Sequence, residues 1–346
     1  MKSALVLERM VGSTRCWRFN CHFHFSSRRG NRYQILQHPE SIQVKHWPRR
    51  KPKKSLGQHF LASKKVIDQI VESAEISQTD HVLEVGAGTG NLTKAILEKK
   101  PEKLTAFELD GELASALRET ATKWQSGSVL EVVECDALIH PFPYVDICLS
   151  NVPYFLSKKL TKKFLRQIYN QNVLSENSSP DGKKRKHMRC LILLFQKEFA
   201  EKLLAQPGEK QYGALSVACQ SLAQVNQIMS VSANQFTPSP KVNSSLLKLS
   251  PLKDPMISLV EWDAFFEFLT ICFQRKQRKL RSNLSTKAFF QFFENHIQRT
   301  DNGRYFEHLN FVLKETDNIG QLTSNSILPN DFCKLYSNLF VLGKET

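Results

Sequence analysis

The sequence predicts an α/β fold whose mainly parallel sheet is followed by a small C-terminal helical domain. From residue 55 to about residue 250, short apolar runs of strand length alternate with stretches whose apolar residues have helical spacing. A glycine-rich loop follows the first clear strand, and after residue 255 only helical patterns remain. Such alternation of strand and helix is typical of a parallel sheet covered by helices on both faces.

The elements follow in order from these patterns. Helical spacing of apolar residues predicts a first helix over residues 63–74. The predicted strands are 81–85, 104–109, 129–135, 145–149 and 190–196, and the predicted helices after them are 91–98, 112–123, 158–169 and 197–204. Two later apolar runs, 228–231 and 245–249, are separated by prolines and predict an antiparallel hairpin that closes the sheet.

The change of pattern near two prolines defines the expected domains. Helical spacing resumes over residues 261–272 and continues to the end of the chain. We therefore expect a sheet domain over residues 55–252 and a helical domain over residues 256–346. A polar segment at residues 175–187 predicts an insertion in the sheet domain.

The charge of the chain indicates a polyanionic partner. Its 346 residues include 48 Lys and Arg against 33 Asp and Glu, a net charge of +15. Such a surplus attracts nucleic acid, although a basic leader accounts for part of it. The eight cysteines are scattered without a Cys-x-x-Cys pair, so we expect reduced thiols and no metal site. Apolar runs are too short to cross a bilayer, and we expect no membrane partner.

The first 54 residues differ in composition from the rest. They carry eight arginines and only two acidic residues, together with serines and no long apolar core. This composition is typical of an organelle transit peptide and predicts a mitochondrial protein, with a plastid as another compartment. The alternative is a basic arm that binds RNA or directs import to the nucleus and nucleolus, helped by the basic run at residues 49–54.

The glycine-rich loop, Glu-Val-Gly-Ala-Gly-Thr-Gly at residues 84–90, predicts a nucleotide-type cofactor. Its spacing differs from the dinucleotide fingerprint Gly-x-Gly-x-x-Gly, and Glu84 suits the cationic methionine end of S-adenosylmethionine better than a pyrophosphate. The next strand ends near Glu108, which can accept both ribose hydroxyls, with Asp110 as the competing candidate. Asp136 follows the third strand and can accept the adenine amino group. These strand ends predict a Rossmann-like, S-adenosylmethionine-dependent methyltransferase sheet.

The most informative motif is Asn-Val-Pro-Tyr at residues 151–154, after an apolar strand-like run. The amide oxygen of Asn151 and the carbonyl of Val152 or Pro153 can accept both hydrogens of an exocyclic amine. Proline stiffens the backbone there. The ring of Tyr154 can stack on a base. We therefore predict Asn151, Pro153 and Tyr154 as catalytic residues of a methyltransferase that acts on an amine of a nucleic-acid base.

With these motifs in view, the chain resembles the ribosomal RNA adenine dimethyltransferase family. The resemblance runs from about residue 54 to residue 284, in the family's order of motifs, and is closest to the eukaryotic branch. Its motifs are Ser-Leu-Gly-Gln-His-Phe-Leu at 55–61, the loop at 84–90, Asn-Val-Pro-Tyr at 151–154, Phe-Gln-Lys-Glu-Phe-Ala at 195–200, Phe-Thr-Pro-Ser-Pro-Lys-Val at 236–242 and Phe-Gln-Arg-Lys at 273–276.

The resemblance implies residues for the cofactor site. The implied contacts with S-adenosylmethionine are made by His59, Leu61, Gly86, Glu108, Asp136 and Asn151. Phe155 can form a second wall for the base, or it can be a core residue.

A basic cluster, expected on the first C-terminal helix, predicts an RNA-binding face. It consists of Arg275, Lys276, Arg278, Lys279 and Arg281. A solvated helix face is the alternative.

The resemblance to this family implies dimethylation of N6 on two adjacent adenosines in the 3′-terminal hairpin of small-subunit rRNA. The implied partner is this rRNA or the pre-ribosomal small subunit, bound by a monomer. One alternative is a ribosome-assembly or transcription factor that keeps the fold while its methylation is dispensable. Another is a DNA adenine methyltransferase, for which the chemistry of Asn-Val-Pro-Tyr would be the same.

Overall fold

The computed structural model describes residues 53, 58–124, 127, 129–174, 187–257, 262–297, 302–316 and 318–340. The predicted leader or arm over residues 1–54, apart from Lys53, lies outside the described residues. The same holds for the predicted insertion over residues 175–187, apart from His187.

The described residues form short strands and longer helices in close alternation. The strands are β1 (Phe60–Leu61), β2 (His81–Val85), β3 (Lys103–Glu108), β4 (Leu130–Glu134), β5 (Ile147–Asn151), β6 (Cys190–Gln196), β7 (Ala223–Val231), β8 (Phe236–Thr237) and β9 (Ser244–Pro251). The helices are α1 (Lys64–Ala74), α2 (Asn91–Glu98), α3 (Gly111–Lys123), α4 (Ser157–Leu174), α5 (Lys197–Leu204), α6 (Ala214–Gln220), α7 (Trp262–Cys272), α8 (Leu280–Leu284), α9 (Lys287–Ile297), α10 (Asn302–Glu315) and α11 (Pro329–Phe340).

Seven of these strands form one sheet in the order β4-β3-β2-β5-β6-β9-β7. The first five are parallel to one another, and β9 runs antiparallel to both β6 and β7. The predicted α/β fold with a parallel sheet is therefore confirmed. The predicted antiparallel closure is confirmed as well, with Met229 opposite Leu246. However, β9 inserts between β6 and β7, so the strand that comes earlier in the chain takes the edge.

The bounds of β7 and β5 differ from the sequence prediction. Strand β7 begins at Ala223 instead of residue 228. The alternation of Ala223 and Val225 with the exposed Gln224 and Asn226 is the pattern of a half-buried strand, and the prediction missed this signal. Strand β5 is shifted forward by two residues and ends at Asn151, so this residue belongs to the strand itself.

The central strands are apolar because both faces of the sheet are covered. On β2, Val82 packs into an apolar cluster with α1 and α2, whereas Leu83 packs into a second cluster with α4 and the later helices. Strand β6 is buried from Cys190 to Phe195. Burial on both faces explains why these strands read as continuous apolar runs in the sequence.

The helical C-terminal region packs onto the second of these clusters. Phe265 and Phe268 of α7 contact Tyr336 of α11 edge-to-face, with ring centroids 5.3 Å apart in both pairs. Tyr212, which precedes α6, donates its hydroxyl to the carbonyl of Ile327 at 2.7 Å. One continuous apolar core thus joins the helices to the sheet, and the domain boundary at residues 252–256 stays a prediction.

Neither a membrane-spanning helix nor a metal-binding cluster occurs in the ranges that the structure describes. No helix there is both long enough and apolar enough to span a bilayer. The same ranges hold no group of three or more His, Cys, Asp or Glu side chains that could bind a metal ion.

Candidate active site

A cavity opens at the carboxyl ends of the parallel strands. It measures about 850 Å³ including its open mouth, and its wall combines the ends of β2, β3, β4 and β5 with residues 58–60. Strands β2 and β5 are neighbours although β3 and β4 lie between them in the chain. Open α/β sheets bind their ligands at this kind of switch in strand order. The fold thus places the cavity where a ligand is expected.

The glycine-rich loop forms one side of the cavity. Gly86 and Gly88 have φ angles of +79° and +55°, a left-handed conformation that favours glycine. The amide of Gly86 donates to the carbonyl of Phe107 at 2.9 Å, which ties the loop to the end of β3. A Cβ atom on Gly88 would lie 3.1 Å from the Phe60 ring. Glycine at position 88 therefore lets the loop pack closely against Phe60, which also lines the cavity.

Glu84 does not face the cavity, so its predicted contact with the methionine end of the cofactor is wrong. Its side chain is 1% exposed and accepts the Thr93 hydroxyl at 2.6 Å. Burial raises the pKa of this carboxyl to about 8. The residue is a buried, hydrogen-bonded member of β2 beneath the loop.

Glu108 lies at the cavity wall, at the last position of β3. One carboxylate oxygen accepts the Gly88 amide at 2.7 Å, and the other accepts the Asp110 amide at 2.9 Å. Burial raises the pKa of Glu108, while these backbone hydrogen bonds oppose the shift. The carboxylate is therefore held in one orientation against the glycine loop.

Asp110 lies at the N-terminus of α3, outside the cavity lining. It caps the N-terminus of α3 by accepting the Glu112 amide at 3.2 Å, and it forms an ion pair with Lys53 at 2.8 Å. Burial raises its pKa, but the hydrogen bonds from Lys53 and Gln58 outweigh burial, and the net shift is downward. Because Asp110 does not line the cavity, the geometry favours Glu108 over Asp110 for the ribose contact.

The other predicted cofactor residues divide into those at the cavity and one in the core. His59, Gly86, Asp136 and Asn151 line the cavity. One Asp136 oxygen accepts the Leu138 amide at 2.8 Å, which fixes the turn after β4. Leu61 is buried in the apolar cluster on the α1 side, and its carbonyl accepts a hydrogen bond from the side-chain NH₂ of Asn91 at 3.0 Å. Its side chain therefore does not reach the cavity.

The predicted catalytic residues lie together on one wall. Asn151 donates its side-chain NH₂ to the His59 carbonyl at 2.9 Å. This bond orients the amide, so its oxygen is the atom that remains to accept a hydrogen from a ligand. Pro153 also lines the cavity, but its carbonyl already accepts the Leu156 amide at 2.9 Å.

Tyr154 is held on both of its ends. Its hydroxyl lies 2.9 Å from the hydroxyl of buried Ser244 on β9, and its ring stacks with the His59 ring at a centroid distance of 5.5 Å. The His59 ring in turn lies 2.8 Å, through Nδ1, from the carbonyl of Pro238. The chain segments around residues 59, 154 and 238 are thereby joined into one rigid wall.

Four residues that line the cavity were either not predicted from the sequence or left with two alternative roles. Phe155 is 59% exposed and lines the cavity, so the alternative that it is a core residue is wrong. Gln58, Phe60 and Leu109 also line the cavity without having been predicted. Gln58 and Phe60 belong to the family motif at residues 55–61, which could have predicted their place at the cavity. Nothing in the sequence singles out Leu109.

The basic cluster at residues 275–281 is not on the first C-terminal helix as predicted. Helix α7 ends at Cys272, whose carbonyl accepts the Asn283 amide at 2.7 Å and the Ser324 hydroxyl at 2.6 Å. These side chains end the helix, and a turn follows. Lys276 in this turn donates to the carbonyls of Lys210 and Tyr212, so its charged end serves a structural contact.

The other members of the cluster remain at the surface. Lys279 donates to Gln321 at 2.8 Å. The exposed members are Arg275, Arg278, Lys279 and Arg281. Their contact with RNA stays a prediction.

Comparison with known proteins agrees with the geometry. The family model described as ribosomal RNA adenine dimethylase matches residues 49–310. A ribosomal RNA small subunit methyltransferase of Arabidopsis thaliana is 35% identical over 274 residues, which cover 79% of this chain and 69% of the relative. A second protein of this plant, a ribosomal RNA small subunit methyltransferase described as mitochondrial, is 35% identical and covers 68% of this chain and 56% of the relative.

A solved structure extends this agreement to the fold. The crystal structure of a dimethyladenosine transferase from Plasmodium falciparum matches with a TM-score of 0.65 and 29% identity, covering 80% of this chain and 96% of that chain. The predicted Rossmann-like methyltransferase sheet is thereby confirmed. With its family model, its relatives and its cavity in agreement, the chain belongs to the ribosomal RNA adenine dimethylase family, whose members depend on S-adenosylmethionine.

Proposed function

We propose that this chain transfers two methyl groups to N6 of each of two adjacent adenosines in the 3′-terminal hairpin of small-subunit rRNA. The observation that carries the proposal is the Asn151 amide, oriented by the His59 carbonyl beside the stacked ring of Tyr154. An oriented acceptor next to an aromatic platform suits a flat base that bears an amino group. Family membership supports the choice of adenine in ribosomal RNA.

The cavity fits S-adenosylmethionine, which supplies an electrophilic methyl group when bound. Gly86 and Gly88 form a cradle that a Cβ atom would narrow, and the oriented Glu108 carboxylate stands beside it. Carboxylates at this position of open α/β sheets accept ribose hydroxyls. Asp136, at the next strand end, lines the cavity and is the proposed acceptor for the adenine amino group. His59 and Asn151 complete the proposed contacts, while Leu61 is not included as a side-chain contact.

Asn151 and the Val152 carbonyl are the proposed acceptors for the two hydrogens of the target amine. Pro153 is the weaker choice for the second acceptor, because its carbonyl is engaged by Leu156. Two acceptors in the plane of the amine withdraw its lone pair from the ring and direct it at the methyl group. Catalysis on this wall is therefore a matter of alignment and preorganised polar atoms.

The Tyr154 ring holds the base in place. Base stacking on an aromatic side chain contributes roughly 1–3 kcal/mol. Phe155, exposed at the mouth of the cavity, is the proposed second wall. The base must leave its stack to enter, and an unpaired loop lowers that cost. A hairpin loop of rRNA is thus a more accessible substrate than duplex DNA.

An Asn151→Ala variant tests the pocket. Methylation of a small-subunit 3′-hairpin RNA by this variant should fall at least 100-fold, because the oriented acceptor is lost. The matched control is Asn226→Ala, an exposed asparagine on the edge strand β7, which should retain full activity. Near-normal turnover by Asn151→Ala would contradict the assigned pocket, and preferential methylation of duplex DNA would contradict the substrate.

We infer further that the protein acts in mitochondria on an rRNA or pre-ribosomal particle, as a monomer. The Arg-rich composition of the first 54 residues supports this compartment, as does the mitochondrial relative. Mass spectrometry of rRNA from cells lacking the protein tests it. Loss of N6-dimethyladenosine from mitochondrial rRNA alone is expected. Loss from cytosolic rRNA alone would refute the compartment, and no loss in either would support an assembly factor with dispensable methylation.

A further inference from the structure

A second concave surface adjoins the active cavity. This groove lies between the loop at residues 138–144 and helix α4, and it measures about 1220 Å³ including its open side. Its charged lining residues are Lys159, Lys162, Lys163, Arg166 and Asp263. Four cations thus face one carboxylate, which makes the groove electropositive.

The groove continues the walls of the cavity. Residues 135–137 line the cavity and residues 138 and 139 line the groove, so one loop serves both. On α4, Leu160 faces the cavity and its neighbour Lys159 faces the groove. A strand that enters the cavity with one base would therefore extend directly into the groove.

The cationic side chains are held in place by their neighbours. Asp263 lies 3.2 Å from Lys162 and 2.8 Å from Arg166, so two cations share one carboxylate. The Lys163 ammonium lies 4.3 Å from the centre of the Phe142 ring and donates to the carbonyls of Ala137 and His140. These contacts fix the shape of the groove and leave a surplus of positive charge along α4.

The opposite wall offers apolar and aromatic surface. Ile139 is 83% exposed and Tyr144 is 43% exposed. These two side chains give the groove an apolar and an aromatic contact surface beside its row of cations. Single-stranded RNA combines phosphates, which bind cations, with base faces that stack on such side chains. Continuity with a cavity that accepts a base favours RNA over an acidic protein.

We propose that this groove binds the single-stranded RNA segment that flanks the target adenosine, with its phosphates along α4 and its bases toward Tyr144. The proposal rests on the proposed function, since the strand enters the groove only when its adenosine occupies the cavity. Lys159 and Arg166, both exposed, are the principal phosphate contacts. The groove is distinct from the basic turn at residues 275–281.

The test is a double charge reversal, Lys159→Glu with Arg166→Glu. Fluorescence anisotropy measures the affinity of the native chain and of this variant for the 3′-hairpin RNA, once with and once without single-stranded flanks. For the flanked RNA, the variant should bind at least 10-fold more weakly than the native chain. Flanks should strengthen binding to the native chain but not to the variant. Loss of two phosphate contacts should also reduce the slope of log K against log salt by about 1.4, at roughly 0.7 per contact for single strands.

Two controls accompany the charge reversal. Lys159→Arg with Arg166→Lys keeps both charges and should keep the affinity within about twofold. Lys65→Glu with Lys99→Glu makes the same change of net charge on exposed lysines of α1 and at the end of α2, and it should have a much smaller effect. The KM for S-adenosylmethionine should be unchanged in every variant.

The outcomes separate this proposal from the proposed function. If the native chain methylates the hairpin and the Lys159/Arg166 reversal binds flanked RNA like the control reversal, the groove proposal is overturned. If the reversal weakens binding only to a pre-ribosomal particle and not to naked RNA, the occupant is a protein, and the RNA proposal is overturned. If the native chain binds the flanked hairpin through the groove but does not methylate it, the proposed function fails by itself.

Discussion

The buried carboxyl of Glu84 makes the stability of this protein depend on pH, and a Glu84→Gln variant should reveal how strongly. The side chain is 1% exposed, and burial raises its pKa to about 8, above the 4.5 of an unperturbed glutamate. The Thr93 hydrogen bond opposes this shift, and the charge of Glu108 adds to it. The folded chain therefore retains a proton on Glu84 at pH values where the unfolded chain has released it.

The sign and size of the effect follow from these two pKa values. The stabilisation from this proton is complete below pH 4.5 and is lost as the pH rises through about 8. At about 1.36 kcal/mol per pH unit over the interval between the two values, the total loss is about 5 kcal/mol. Between pH 6 and pH 9, a range convenient for unfolding experiments, the loss is about 3 kcal/mol.

Urea unfolding followed by tryptophan fluorescence at pH 6, 7, 8 and 9 measures this loss. Glutamine keeps the shape of the side chain and can still accept the Thr93 hydroxyl. Any destabilisation by the amide that does not depend on pH lowers the free energy of unfolding equally at every pH and leaves its pH dependence unchanged. From pH 6 to pH 9, the free energy of unfolding should therefore fall by about 3 kcal/mol less in Glu84→Gln than in the native chain. Glu119→Gln, an exposed glutamate on α3, should follow the native curve. A constant difference between Glu84→Gln and the native chain from pH 6 to pH 9 would refute the reasoning.

Three further predictions concern the site and the core. Tyr154→Phe and Ser244→Ala each remove the same 2.9 Å hydroxyl contact and should each lower kcat/KM for RNA roughly 2–10-fold, as expected for one hydrogen bond. If the double variant had a much lower kcat/KM than either single variant, the two hydroxyls would act separately. Glu108→Ala should raise the Kd for S-adenosylmethionine more than 10-fold in isothermal titration calorimetry, and an unchanged Kd would remove Glu108 from the cofactor site. Phe268→Ala should destabilise the chain by about 3–5 kcal/mol in urea unfolding, because this fully buried ring packs between α9 and α11. A loss below about 1 kcal/mol would show that the aromatic cluster can collapse around the gap.

Much of the site was predictable because parallel strands bring their carboxyl ends to one edge. Glu108, Asp136 and Asn151 are far apart in the chain, but each stands at or just after a strand end. The alternation of strands and helices was enough to expect them around one cavity. Local patterns also sufficed for most helices and strands, since the buried strands are continuous apolar runs. The seven-residue helix α6 was missed because it is too short to show helical spacing.

The functional choices between neighbouring residues required the tertiary structure. The sequence analysis assigned Glu108 to the ribose with Asp110 as the competing candidate, and Glu84 to the methionine end of the cofactor, because each carboxylate is close to a strand end. In the fold, Glu84 points into the interior toward Thr93, Asp110 caps α3, and only Glu108 of the three lines the cavity.

What the sequence by itself determined is the type of fold, the family and the edge of the sheet that bears the site. Only the tertiary structure decided which side chains face the cavity. It also decided which backbone carbonyls are already engaged in hydrogen bonds. The Pro153 carbonyl is engaged by Leu156, and Lys276 is drawn to the carbonyls of Lys210 and Tyr212. The physical reason is that a motif defines which residue types are present, whereas the partner of each polar atom comes from elements distant in the chain. A strand directs successive side chains to opposite faces, and packing alone determines what covers each face.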